Sequence, residues 1–101
     1  MKRQTIDPAK HPEETLEYEM DFSTALASGD SLSGSYSVTV TDQSTDAVQA
    51  SMLSGSASRD GNSVAAFITG GASGKKYEVT YKSATSGGET LVEILILPVK
   101  S

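Results

Sequence analysis

At 101 residues the chain has room for one hydrophobic core, since a domain of this size buries only about two thirds of its unfolded surface. A formal charge of -5, from 13 carboxylates against 8 Lys and Arg, argues against any partner held mainly through phosphates, so neither nucleic acid nor an anionic membrane is expected. The absence of cysteine excludes a disulfide framework, thiolate metal sites and a cysteine nucleophile, and the core has to hold by packing alone.

Residues 1–15 carry Pro8, Pro12 and the single histidine, His11, without apolar periodicity. They read as a flexible arm in front of one domain at 16–101. Met1-Lys2-Arg3 runs into polar residues, so no secretion signal is expected. His11 has no neighbour that would make it a base or a metal ligand, and it reads as a solvated surface residue.

Leu16 to Phe22 alternates without a slip, which predicts a strand with Leu16, Tyr18, Met20 and Phe22 inward and Glu17, Glu19 and Asp21 outward. Successive carboxylates on that face stand about 7 Å apart, a spacing within the range of paired glycosidase carboxylates. An open strand face lacks the apolar pocket a general acid needs, so the stronger reading is a solvated acidic face that discourages edge-to-edge pairing.

Ser23 to Ser31 is a connector ending in the turn signal Gly29-Asp30, with Leu26 tucked beneath it. From Leu32 to Thr41 the alternation predicts Leu32, Gly34, Tyr36, Val38 and Val40 facing in and Ser33, Ser35, Ser37, Thr39 and Thr41 facing out. That hydroxyl ladder is a polar strand face first, and a surface for sugar or a flat solid second. Asp42 to Asp46 is a turn without the glycine-centred ligand ladder of a calcium loop. Val48, Ala50 and Met52 are assigned to the inner face of a third strand. Ser54 to Asn62, with Gly55, Arg59 and Asp60-Gly61, reads as a loose loop with room for a short edge strand.

Val64 to Val99 reads as three consecutive antiparallel strands punctuated by Gly70-Gly71-Ala72-Ser73-Gly74 and Ser86-Gly87-Gly88, the middle one with Tyr77, Val79 and Tyr81 alternating with Glu78, Thr80 and Lys82 as in a strand with one buried face. Gly70, Gly74 and Lys75 fail as a phosphate-binding loop: the glycines are too close, Lys76 stands where Ser or Thr belongs, and a strand follows instead of a helix. No Gly-x-Ser-x-Gly elbow exists and no second histidine completes a triad, so no catalytic residue, cofactor or metal is assigned and a small-molecule ligand is not expected. In the last strand, Glu93 facing water puts Val92, Ile94 and Ile96 inward. Leu91, Leu95 and Leu97 then form an outer apolar stripe, covered by another chain, by the arm, or by a bulge near Pro98. Leu91 to Leu97 is too short to span a bilayer.

Asp7-Pro8, the run Leu16 to Ser23, Leu26, Gly29-Asp30 and Leu32, then Thr69 to Thr80 and Thr85-Ser86-Gly87-Gly88, together resemble a group of small phage and prophage proteins. The resemblance implies an all-β, immunoglobulin-like or fibronectin type III-like sandwich of six or seven antiparallel strands. It also implies a place among head and head-to-tail morphogenesis genes, and it supplies no catalytic residue. Where such relatives carry tryptophan in the second strand, this chain has Tyr36. The function expected on this basis is that of a non-enzymatic virion structural or decoration protein, found in the virion or the host cytoplasm. Its partners are expected to be capsid, connector or its own copies. The candidate contacts are Leu95, Leu97, Arg59, Asn62 and Glu89. The alternatives are an adhesion or carbohydrate-binding module, which wants exposed aromatic platforms, and a hydrolase built on Glu17 and Asp21.

Overall fold

The structure is a computed structural model that describes residues 9–101 in full and residues 2–5 as backbone. The Asp7-Pro8 pair lies outside the described residues. Strands run in the order β1 (Lys2–Thr5), β2 (Thr15–Asp21), β3 (Leu32–Asp42), β4 (Leu53–Asp60), β5 (Ser63–Thr69), β6 (Lys76–Thr85) and β7 (Thr90–Pro98). One sheet has the order β1-β7-β6-β3 and the other β2-β5-β4. From β2 to β7 every pairing is antiparallel, and β1 lies parallel to β7. The fold is therefore an all-β sandwich.

The core is what the alternating side chains of the two inner faces put together. Tyr18 and Met20 from β2 with Phe22 directly after it, Val64, Ala66 and Ile68 from β5, Val38 and Val40 from β3, and Tyr77, Val79 and Tyr81 from β6 form one buried cluster. The positions in β2, β3 and β6 are as the alternation predicts, whereas β5 lies in a run without alternation. Leu16 shares the inner face but sits at its rim and is 38% exposed. Across the middle, the Tyr81 hydroxyl donates to the Tyr18 carbonyl at 2.9 Å, so a polar atom of one sheet is satisfied by the backbone of the other. Burial pushes the Tyr81 phenol above its ordinary value.

The last strand corrects the expectation made for it. In register with β6, Tyr77 pairs with Leu97, Val79 with Leu95 and Tyr81 with Glu93. Directly paired residues share a face, so Leu95 and Leu97 enter the core, 1% and 0% exposed, and Glu93 is carried in with them at 2%. Ile94 and Ile96 take the opposite face and are still nearly covered, at 6% and 9%. A strand buried on both faces shows no alternation to read, and register alone decides which set faces which way.

The third strand also lies elsewhere. Val48 makes only an isolated bridge to Thr41 and is largely exposed, and Ala50–Met52 is one turn of 3-10 helix. Three apolar residues at i, i+2 and i+4 were too few to distinguish a strand from a fold-back. The strand is β4, at the edge of its sheet, in the stretch read as a loose loop with room for a short edge strand, and its backbone pairing with β5 defines it where its Ser, Gly and Arg side chains give no apolar pattern. In β3 a register shift falls between Leu32 and Tyr36, with Gly34 at φ 82°. Tyr36, paired directly with the buried Ser83, keeps the inner face expected of it but sits at the open rim of the sandwich, 37% exposed.

Within 1–15, Lys10 is 1% exposed, its backbone N–H donates to the Pro98 carbonyl at 2.9 Å, and its ammonium donates to the Gly70 carbonyl at 2.8 Å. Desolvation lowers the Lys10 pKa, and Glu14 partly offsets this.

Gly71 closes the corner that Lys10 buttresses. Its φ is +99°, and a Cβ there would stand 2.9 Å from Val99 Cγ2 and 3.3 Å from the Tyr77 ring. Next to it the Ala72 N–H donates to the Tyr77 hydroxyl at 2.9 Å. Gly71→Ala adds a strained backbone to an overpacked contact and is expected to cost about 2–4 kcal/mol. A urea midpoint within about 0.5 kcal/mol of the parent would show that the corner is slack.

Candidate interaction surfaces

Four regions carry the exposed chemistry. The first lies where the free edges of the two sheets meet. Arg59 reaches from β4 to the β3 bulge, where its Nη1 donates to the Gly34 carbonyl at 2.8 Å and its guanidinium sits 4.9 Å from the centre of the Tyr36 ring. An arginine stacked on tyrosine and bonded to a bulge carbonyl is held in one orientation. Beside it Ser35, Tyr36, Ser37, Lys82, Ala84 and Thr90 line an open concavity of about 370 Å³.

At one end of the sandwich, the turns around Asn62 and Ser86 meet the start of β3. Asn62 accepts from the Phe22 N–H at 2.8 Å through its carbonyl and from the Leu32 N–H at 3.3 Å through its side chain. Ser86 exchanges two bonds with Ser31, and Glu89 closes its own turn against Thr85. Of the five candidate contacts, Arg59 and Glu89 lie on the surface or partly so and Asn62 is a half-buried structural link. Leu95 and Leu97 are core residues with no surface to offer.

The opposite end is basic. Lys75, Lys76 and Lys100, with Ala9, Ser73, Gly74, Pro98 and Val99, surround a concavity of about 290 Å³. Lys75 is already engaged: its ammonium lies 2.9 Å from the Asp42 carboxylate, whose other oxygen accepts from the Ser44 N–H at 2.9 Å and hydroxyl at 2.8 Å. The Lys75 bond, with Ser44 after it, holds the Asp42 carboxyl down to about 2 from an ordinary 3.8. The depressed folded-state value means that this group adds stability above pH 3.8, and the contribution disappears as pH falls through about 2. Acid titration of the urea midpoint is expected to fall less steeply between those values in Lys75→Met than in the parent. An unchanged slope would mean that the pair contributes nothing to the acid limb.

The fourth region is the outer face of β2 and β5. Glu17 and Glu19 point to solvent there, and Phe67, in register with Glu17, is 46% exposed. Asp21 is exposed at the end of the same strand and its carboxylate accepts from the Ser23 N–H at 2.8 Å. The acidic face therefore exists as read, while its aromatic neighbour was missed. Phe67 belongs to a run, Val64 to Ile68, that is apolar at every position, so no alternation marks its outward member. His11 sits in a local turn, accepting from the Glu13 N–H at 3.0 Å through Nδ1.

Among the described residues no three His, Cys, Asp or Glu side chains group as metal ligands, and no helix is long and apolar enough to cross a membrane. Over residues 10–98 the sequence matches the model of the Gp77 family, described as podophage GP4 fiber-tail adaptor protein gp77. The chain belongs to the Gp77 family. It is accordingly a structural protein of a phage particle, and the partners of such a component are other virion proteins. No curated protein and no solved structure matches it. The match runs from Lys10, the residue that docks on the C-terminal segment, to Pro98 at the end of β7, so it takes in both sheets of this Gp77-family sandwich apart from β1.

Proposed function

We propose that the chain is a non-enzymatic interaction module that joins a tail fibre to the tail of a podophage-type particle, contributing surface and rigidity instead of catalysis. The family match over 10–98 carries this reading, because that family is described by the adaptor role. The geometry supports it. The acidic outer face of β2 and the lysine-rimmed end of the sandwich offer two chemically distinct surfaces, and a rigid body with two unlike surfaces suits a part set between two others. Symmetric assembly multiplies modest contacts, so a small domain suffices. The partner favoured is the tail fibre and the tail protein that carries it; capsid or connector is the other virion option. Assembly would begin in the host cytoplasm.

The sandwich is proposed to be immunoglobulin-like. The order β2-β5-β4 against β3-β6-β7, with a leading strand parallel to β7, and a tyrosine opening β6 whose hydroxyl bonds back to the Ala72 backbone, are what that topology calls for. Cross-linking mass spectrometry of purified particles tests the adaptor reading. Cross-links from this chain to both a fibre and a tail protein are expected, and its absence from intact particles would overturn the reading.

One observation favours a second reading. Tyr36 is exposed beside hydroxyls and a lysine, an arrangement with which a carbohydrate-binding module could stack a sugar ring. Saturable glycan binding lost in Tyr36→Ala would move the function to adhesion.

A further inference from the structure

Among the edges formed by β2, β3 and β4, one lacks the devices that blunt the other two. β3 ends its sheet, but the Asp42 N–H donates to the Ala47 carbonyl at 2.9 Å, the Gln49 N–H to the Val40 carbonyl at 2.8 Å, and Arg59 occupies the Gly34 carbonyl. β4 ends the other sheet with a register shift between Ser54 and Ser58, and a bulge bends an edge away from pairing. β2 is different. It pairs with β5 without a break from Thr15 to Asp21 and has no strand on its other side.

The direction of its free backbone groups follows from one bond. The Phe22 N–H donates to the Asn62 carbonyl, continuing the β2–β5 ladder by one residue. Alternation in an antiparallel ladder then turns the N–H and C=O groups of Leu16, Tyr18 and Met20 toward β5 and those of Glu17 and Glu19 toward the open side. The side chains of Glu17 and Glu19 lie on the solvent face, Leu16 is exposed at the rim of the core, and Phe67 is exposed in register with Glu17.

We propose that the open edge of β2 receives, by β-strand addition, an extended segment of a partner protein that carries Lys or Arg at alternate positions. The main-chain groups of Glu17 and Glu19 supply the ladder, and the side chains on either face supply the choice of partner. On the solvent face the cross-strand neighbours of Glu17 and Glu19 are cations, because like charges placed opposite one another repel. The alternate residues of the incoming segment are apolar and cover Leu16, extending the inner face. The same carboxylates oppose pairing of two β2 edges from two copies, so the edge is closed to itself and open to a basic strand. The identity of the donor rests on the adaptor reading; the acceptor edge does not.

The test uses the full chain, isotope-labelled for NMR, and a synthetic peptide of β2's own length, seven residues, that alternates lysine with valine and has blocked ends. Saturable shifts confined to residues 15–21 and 67 are expected, with the Glu17 and Glu19 amides exchanging about tenfold more slowly when peptide is bound. Glu19→Gln is expected to weaken binding about threefold, since it removes one cross-strand charge pair. Glu19→Pro removes an outward N–H that the free protein does not use, so it keeps the fold, checked by circular dichroism, and abolishes binding. Should that variant unfold, the double substitution Glu17→Gln with Glu19→Gln takes its place and is expected to weaken binding about tenfold. Shifts without slowed exchange at Glu17 and Glu19, shifts elsewhere on the molecule, no binding, or binding unchanged in a folded Glu19→Pro would each overturn the proposal. A negative peptide experiment together with particles in which the chain cross-links to fibre and tail removes the strand-addition inference and leaves the adaptor reading. A positive one with particles that lack the chain does the reverse.

Discussion

Leu97→Ala is expected to lower the unfolding free energy by about 2–5 kcal/mol, the cost of deleting a leucine from a packed interior and leaving a cavity. Leu97 is fully buried opposite Tyr77 and belongs to the main hydrophobic cluster. For a domain whose whole stability is about 5–15 kcal/mol, that loss is a large part of the total. The comparison is with Val92→Ala, on the other face of β7 and only partly covered, which is expected to cost about 1 kcal/mol or less. Urea midpoints at constant m-value measure both. The experiment decides the facing of the strand. Were Leu97 part of an outer stripe, its truncation would register within about 0.5 kcal/mol in the isolated chain, and a result of that size would mean that β7 sits one residue out of the register described.

Glu93→Met is expected to act in the opposite direction. Glu93 is 2% exposed on the inner face, and its Oε1 is a buried acceptor without a hydrogen-bond partner among the described groups. A buried polar atom that loses its water and gains no donor costs about 1–3 kcal/mol, and methionine fills much the same space without that penalty. The gain corresponds to a rise in Tm of about 4–8 °C per kcal/mol for a domain of this length. Glu89→Met, at an exposed turn position, is the control and is expected to change little. A clear fall in stability for Glu93→Met would show that the carboxylate is held by a donor and contributes to the fold.

These two residues mark where sequence reading stops. Leu16 to Phe22 and Lys76 to Ser83 were legible because each strand has one wet face, so alternation encodes both the element and its facing. β7 has no wet face: Leu91-Val92-Glu93-Ile94-Leu95-Ile96-Leu97 carries a single charge in an apolar run, and assigning that charge to solvent inverted the strand. The charge lost to the register that β6 imposes. β4 failed for the complementary reason, because an edge strand of Ser, Gly, Ala and Arg has too little apolar content to show a period. The candidate surfaces divide in the same way. The acidic row of β2 could be read directly, whereas the Arg59–Tyr36 stack depends on a bulge at Gly34 and on two different strands, and the lysine-rimmed end depends on Lys100 being brought beside Gly74.

By itself the sequence determined that this is an all-β chain without cysteine chemistry, with its acidic row on the first long strand and glycine corners between the later ones, because these follow from local periodicity, composition and the conformational freedom of glycine. Only the tertiary structure decided that Glu93 is inside, that Leu95 and Leu97 are core residues, and that the edge of β2 is left open. Each of these is a property of strand neighbours and register, and the free energy that selects a register comes from burying whole faces together, which no single segment contains.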